Sequence, residues 1–291
     1  MSAGTTTRAA ARRRRTLART PLVIALTLLA IATLLPLIYA LSASFKPLDE
    51  LMANGSRLLP DTWRFANYSE AWEQAQFTQS LRNSLIVTVS AVVFGVLAAS
   101  MCGYVLSRHL VWGQRVWEAA LAAAIFLGAG TPTLYPRFLI AQKLDLLNLT
   151  GIVIVELAEI MVLTTFLVKG FCASLGTDVE DAARLDGCGL LRTYWHVSLP
   201  MMRPVLTTIV VLTFQWSWNA FQVPLAFTLP RPDVHTITVS VFALKTTNGD
   251  GLGNYAVLMA GAVLALIPIV AIYAVAQRYF MEGLTEGATK G

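Results

Sequence analysis

Six apolar stretches, at residues 22–42, 84–106, 117–139, 151–168, 204–226 and 255–276, set the terms on which this chain folds. Each is 18–23 residues long, and together they take up about 130 of the 291 residues. A helix rises 1.5 Å per residue, so roughly 20 apolar residues cross the hydrocarbon core of a bilayer. Inside lipid, backbone N–H and C=O groups must be satisfied within the segment, which leaves helices as the solution for such runs. Only 13% of the residues are charged, against about 25% in a soluble domain, too few to cover a water-facing surface. The expectation is an all-α integral membrane protein with six transmembrane helices. Pro132 and Pro136 lie in the third stretch and predict a break near its end.

Charge gives the orientation. Arg8, Arg12, Arg13, Arg14, Arg15 and Arg19 precede the first stretch. A basic run can bind nucleic acid, but next to a span it is a topology signal, and no nucleic-acid partner is expected. A cleaved signal peptide has an apolar core of about 7–15 residues; this one is longer and reads as an uncleaved anchor. With the N-terminus cytoplasmic, 14 Lys and Arg fall inside and 8 outside, which satisfies the positive-inside rule. Six spans then return the C-terminus to the same side. The chain divides into a basic tail at 1–21, a six-span body at 22–281 and a second cytoplasmic tail at 282–291.

Small residues recur every fourth position in the second span (Ala91, Gly95, Ala99, Gly103) and at Gly261 and Ala265 in the sixth. Such stripes let helix backbones approach closely in lipid. Cys102, Cys172 and Cys188 have no paired or metal-ligand spacing and read as small apolar fillers. His109, His196 and His235 are scattered, so neither a catalytic set nor a metal site is expected.

The loop at 169–203, with its patterned core at 173–203, is too polar to span. Thr177-Asp178-Val179-Glu180 matches a capping box, with Thr177 as N-cap and Glu180 reaching back. Asp178, Glu180 and Asp181 crowd a first turn, where the helix dipole favours negative charge. Asp186-Gly187 predicts a turn, and a second short helix fits from about Leu190 to Val197. A connecting hairpin is one reading of this helix-turn-helix.

The residues also carry a resemblance. Glu180-Asp181-Ala182-Ala183-Arg184-Leu185-Asp186-Gly187-Cys188, with Tyr194, Val197, Leu199 and Pro200, resembles the EAA loop of binding-protein-dependent ABC importer permeases. Asn83-Ser84-Leu85, Trp218-Asn219, Pro224-Leu225, Gln277-Arg278-Tyr279-Phe280, Gly283-Leu284 and the ending Gly287-Ala288-Thr289-Lys290-Gly291 are similar to the carbohydrate-importing, maltose-type branch. Two positions depart from it: Asp181 stands where the family has Glu, and Cys188 where it has Ala.

The resemblance implies a subunit of the bacterial cytoplasmic (inner) membrane whose loop docks on an ATPase through Glu180, Asp181, Ala182, Ala183, Asp186 and Gly187. It also implies a tail contact to the ATPase pair at Thr289, Lys290 and Gly291. Further implied partners are a second homologous permease, two ATPase subunits, an extracytoplasmic solute-binding protein and a sugar-like solute, besides membrane lipid. The chain lacks a phosphate-binding G-x-x-x-x-G-K-[ST] loop, so ATP and magnesium belong on the partner and no cofactor is expected on this chain. The last outer loop, with Gly249, Asp250 and Gly251, is the implied binding-protein contact. A calcium loop is the rival there, but it lacks the later Glu ligand.

Two groups inside the spans carry chemistry. Gln215, Trp218, Asn219 and Gln222 fall at i, i+3, i+4 and i+7 and share one helix face. Amides bind hydroxyls as donor and acceptor together, which suits a solute pathway for a sugar; inter-helix bonding is the other reading. Glu156 and Glu159 are intramembrane carboxylates, and Arg137 stands at similar depth across a tight hairpin, so an intramembrane ion pair is expected. A proton-coupled secondary transporter using Glu156 and Glu159 is the alternative function; a membrane-embedded enzyme is the weaker one.

Overall fold

A computed structural model describes residues 4–128, 131–245 and 255–288, with side chains described over 21–125, 132–245 and 255–274. Every described secondary-structure element is helical. The long elements are α1 (Gly4–Ala43), α4 (Phe77–Ser107), α7 (Leu149–Ser174), α11 (Arg203–Trp218) and α14 (Tyr255–Ala288). Short helices join them: α2 (Leu48–Asn54) and α3 (Ala66–Gln74) before α4, then α5 (Gln114–Gly128) and α6 (Leu134–Lys143) before α7. After α7 come α8 (Asp178–Leu185), α9 (Leu190–Thr193) and α10 (Leu199–Met201), then α12 (Gln222–Thr228) and α13 (Ile237–Ala243).

Among the described residues, four segments are long and apolar enough to cross a membrane: Pro21–Ala43, Phe77–Ser107, Leu149–Ser174 and Tyr255–Ala274. A fifth candidate is the pair Leu190–Met201 and Arg203–Trp218, bent by 77°. The expected third span is two helices, α5 and α6, with Pro132 in a 3₁₀ turn and Pro136 in the first turn of α6. The expected fifth span also divides: α11 ends at Trp218, and α12 restarts at Gln222 with Pro224 in its first turn.

α4 and α7 form the spine. A Cβ at Gly103 would stand 2.5 Å from Val168 Cβ and 2.9 Å from the Thr165 carbonyl oxygen; one at Gly95 would meet Leu157 at 3.4 Å. The small-residue stripe is thus where two backbones meet. α7 starts where Asn148, as N-cap, accepts a hydrogen bond from Gly151 N at 3.1 Å. It runs to Ser174, beyond the apolar limit at 168, so Lys169 lies in a helix and not in a loop; its Nζ pairs with Glu118 of α5 at 2.7 Å.

Among the described residues, three apolar clusters fill the bundle. One, around Tyr104, Val168, Cys172, Tyr194, Met202 and Ile209, packs the α8–α10 end. Another holds Val87, Ile152, Val223 and Phe227. The third joins Phe77, Trp218, Ile237, Val257 and Ala260 at the opposite end of α4. There Asn83 Nδ2 donates to the carbonyls of Asp233 (3.0 Å) and His235 (2.9 Å), while Ser84 Oγ accepts from Ile237 N at 2.8 Å. α1 behaves differently: none of its apolar window is buried within the chain, and Leu22, Leu28 and Leu29 stand exposed.

Candidate functional site

The hairpin at 177–201 has the expected course, a helix, a turn and a second helix. α8 ends in a Schellman turn: Gly187 N donates to Arg184 O at 3.0 Å and Cys188 N to Ala183 O at 2.9 Å. Gly187 has φ +84° with open space around it, so it is required for its backbone conformation. The second helix runs past Val197 through a π turn at Tyr194–Ser198 to Met201.

The capping box is not formed. Thr177 has helical backbone angles and makes no side-chain cap bond. Glu180 turns the other way and is buried at 3% exposure. Its Oε1 lies 2.9 Å from Arg108 Nη2 and accepts from Ser198 Oγ at 2.9 Å; Oε2 accepts from Tyr104 O–H at 3.2 Å. A buried carboxylate gains more from a guanidinium than from one backbone N–H, because desolvated charge needs an opposite charge. Burial works against the Arg108 charge, but the Glu180 bonds outweigh it and raise the guanidinium pKa. Glu180, for which the resemblance implies an ATPase contact, therefore has its carboxylate turned to the bundle. Asp181, Ala182 and Asp186 stay exposed and Ala183 half-buried, with Asp181 paired to Arg184 at 3.2 Å. Besides Leu190, which opens the second helix, the exposed apolar side chains here are Val179, Leu185, Leu191 and Trp195, with Leu185 at 89%. Sequence reasoning passed over these four; apolar residues among the charges of a loop were the available signal.

The fifth-span residues separate. A cavity of about 880 Å³ is lined by Gln215, Trp216, Asn219, Phe221, Gln222 and, across it, Glu156 and Glu159. Trp218 is not on its wall. It is 2% exposed and stacks on Phe214 with ring centroids 5.5 Å apart. Of the expected face, Gln215, Asn219 and Gln222 reach the cavity and Trp218 turns to the core; Trp216 supplies the aromatic wall instead. Asn219 Nδ2 donates back to Gln215 O at 2.8 Å.

The carboxylates separate as well. Arg137 of α6 pairs with Glu159. Glu156 has no part in that pair: it is 1% exposed and accepts from Ser217 Oγ at 2.5 Å. One turn of α7 divides the two, and the guanidinium reaches the nearer one. Gly249, Asp250 and Gly251, and Thr289, Lys290 and Gly291, lie outside the described residues; α14 itself continues to Ala288.

The described residues thus form a helical bundle with a bent α10–α11 pair and a helix-turn-helix held to one end. Over residues 7–285 the chain matches the family of binding-protein-dependent transport system inner membrane components, and it belongs to that family. It is 32% identical over 267 residues to the diacetylchitobiose uptake system permease protein NgcG of Streptomyces coelicolor, covering 90% of this chain and 86% of that one. It is 32% identical over 273 residues to the arabinooligosaccharides transport system permease protein AraQ of Halalkalibacterium halodurans, covering 93% and 96%.

A solved chain of a bacterial ABC transporter involved in the import of the acidic polysaccharide alginate superposes with a TM-score of 0.77 at 26% identity, covering 92% of this chain and 98% of that one. A second alginate transporter structure, in complex with its pentasaccharide-bound periplasmic protein, shares the fold at TM-score 0.62 and 13% identity. The chain is a non-catalytic permease subunit of an ABC importer and a component of the inner membrane. The secondary-transporter and enzyme readings are not favoured.

Proposed function

We propose that this chain forms half of the pathway of an importer for a sugar or sugar-like solute, with a second homologous permease as the other half. Six spans, with both termini cytoplasmic, put the α8–α10 hairpin on the ATPase side. Two ATPase subunits bind ATP and magnesium, and the hairpin delivers their closure to the spans. Asp181, Ala182, Ala183, Asp186 and Gly187 carry the contact, joined by Val179, Leu185, Leu191 and Trp195. Glu180 acts from behind. An extracytoplasmic binding protein meets the 249–251 loop, and the 289–291 tail makes a second ATPase contact.

The observation that carries this reading is the hairpin: a short helix with an exposed apolar and acidic face, fixed to the bundle by its opposite face. The oligosaccharide transport named for two relatives supports a sugar as solute, as do the amides and the Trp216 ring around the cavity.

Inverted membrane vesicles test the topology: Leu185→Cys should react with an impermeant maleimide there and not in whole cells. Uptake of neutral di- and trisaccharides should require ATP and persist with a proton ionophore. Labelling of Leu185→Cys from the outside, or uptake abolished by the ionophore with ATP maintained, would falsify the reading.

A further inference from the structure

We infer that Arg108 and Glu180 form a clamp that makes the α8–α10 hairpin move as one body with the adjoining ends of α4 and α7. The inference rests on the reading of the hairpin as the ATPase contact. Chain connectivity ties α8 to α7 through residues 175–177, and ties α10 to α11 through the bend. It does not tie the hairpin to α4, which is distant in sequence. The Arg108 side chain supplies that link.

Arg108 caps the end of α4, and its guanidinium divides its donors between two other elements. Nε and Nη2 donate to Glu180 of α8, at 3.1–3.2 Å and 2.9 Å. Nη1 donates to the carbonyls of Cys172 (3.2 Å) and Leu175 (3.4 Å) at the end of α7. Those carbonyls lie where a helix runs out of its own donors. The planar fork satisfies all of these at once, which a lysine could not do.

Glu180 in turn joins both halves of the hairpin, accepting from Ser198 as well as from Tyr104 of α4. A second bond runs parallel to the clamp, between the hydroxyls of Tyr194 and of Ser100 of α4, 2.8 Å apart. The Tyr104 and Tyr194 rings pack with centroids 5.2 Å apart. The hairpin is thus held to α4 from both of its helices. A push on Leu185 or Ala182 is carried to α4 and α7 together and not taken up by the linkers. Arg108 and Glu180 are positioning residues: neither side chain needs to touch nucleotide or solute.

The test uses the assembled importer in lipid nanodiscs. Spin labels at Leu185→Cys on α8 and Met101→Cys on α4, with Cys102 and Cys188 replaced by serine, report the distance between hairpin and spine. The expected result is one distance in both the nucleotide-free and ATP-bound states. A distance that changes between those states overturns the clamp, and this measurement leaves Arg108 and Glu180 native.

Glu180→Gln should then shift or broaden the distance and raise the ATP hydrolysed per solute imported roughly tenfold, an ordinary size for coupling between two sites. The reversed pair R108E/E180R should recover part of that loss. A Glu180→Gln importer with unchanged distance and unchanged stoichiometry also overturns the clamp. Failure of the ATPase to crosslink to Leu185→Cys, with the distances as expected, removes the docking reading instead.

Discussion

Two glycines show how differently one residue type works in this chain. Gly187 has φ +84° and nothing within 4 Å of a would-be Cβ, whereas at Gly103 a Cβ would press on Val168 and on the Thr165 carbonyl. Gly187→Val pays in backbone strain, about 1–2 kcal/mol for an L-residue in the left-handed region, and more for a β-branched one. The strain stays in the hairpin. Gly187→Val should therefore insert normally but lose ATP-driven uptake and ATPase association.

Gly103→Val forces α4 and α7 apart and should lower the amount and melting temperature of the purified subunit. Equal behaviour of the two variants in a thermal-shift assay would refute this division. Both positions are legible in the sequence, one from Asp-Gly and the other from the every-fourth-residue stripe. Glu180 is not. A carboxylate in a first turn reads as a dipole partner, and the Arg108 that claims it is 72 residues away.

At the scale of elements, helix ends were harder to read than helix interiors. Apolar runs locate α4, α7 and α14, because crossing lipid demands them. They miss the last turns of α7, where Lys169 is held in the helix by Glu118, and they run across the break between α11 and α12. The family-like Asn83-Ser84 pair turns out to be a staple between α4 and the 233–237 segment. Asn83→Ala removes the side-chain donor to the His235 carbonyl and leaves the Asp233 carbonyl only Gln79 Nε2 at 3.3 Å, at a cost of about 1–3 kcal/mol. It should accelerate proteolysis near 233–237 before the rest of the chain is cut; an unchanged cleavage order would count against the staple.

The α6–α7 link makes a second case at this scale. Removing Arg137 leaves the Glu159 carboxylate on the cavity wall of α7 without its partner, and a charge at the centre of a span costs about 2.5–3.5 kcal/mol. Arg137→Ala should lower the yield of assembled complex, and Arg137→Ala with Glu159→Gln should restore much of it. No recovery in the double variant would mean that Arg137 acts through something other than Glu159.

For the molecule as a whole, the fifth element divides its side chains between the core and the cavity. Neighbouring residues of a helix point about 100° apart, so Trp218 and Asn219 at the end of α11 need not share a face. The Trp218 ring packs into the core beside Phe214 and Val257, while Asn219, Gln215 and Trp216 lie on the cavity wall. The volume, about 880 Å³, falls in the range of ligand pockets, and its amides match hydroxyl groups.

The two neighbouring positions should therefore fail in different ways. Trp218→Ala empties a packed site at a cost of roughly 3–5 kcal/mol and should reduce the assembled complex itself. Asn219→Ala should leave assembly and ATPase association at native levels but lower uptake of the preferred saccharide by about tenfold, the equivalent of ~1.4 kcal/mol of lost interaction. Quantifying complex by affinity capture and uptake in the same membranes separates the two effects. Native uptake in Asn219→Ala would take the cavity off the solute path, and native assembly in Trp218→Ala would mean that the packing of that ring beside Phe214 does not hold the complex together.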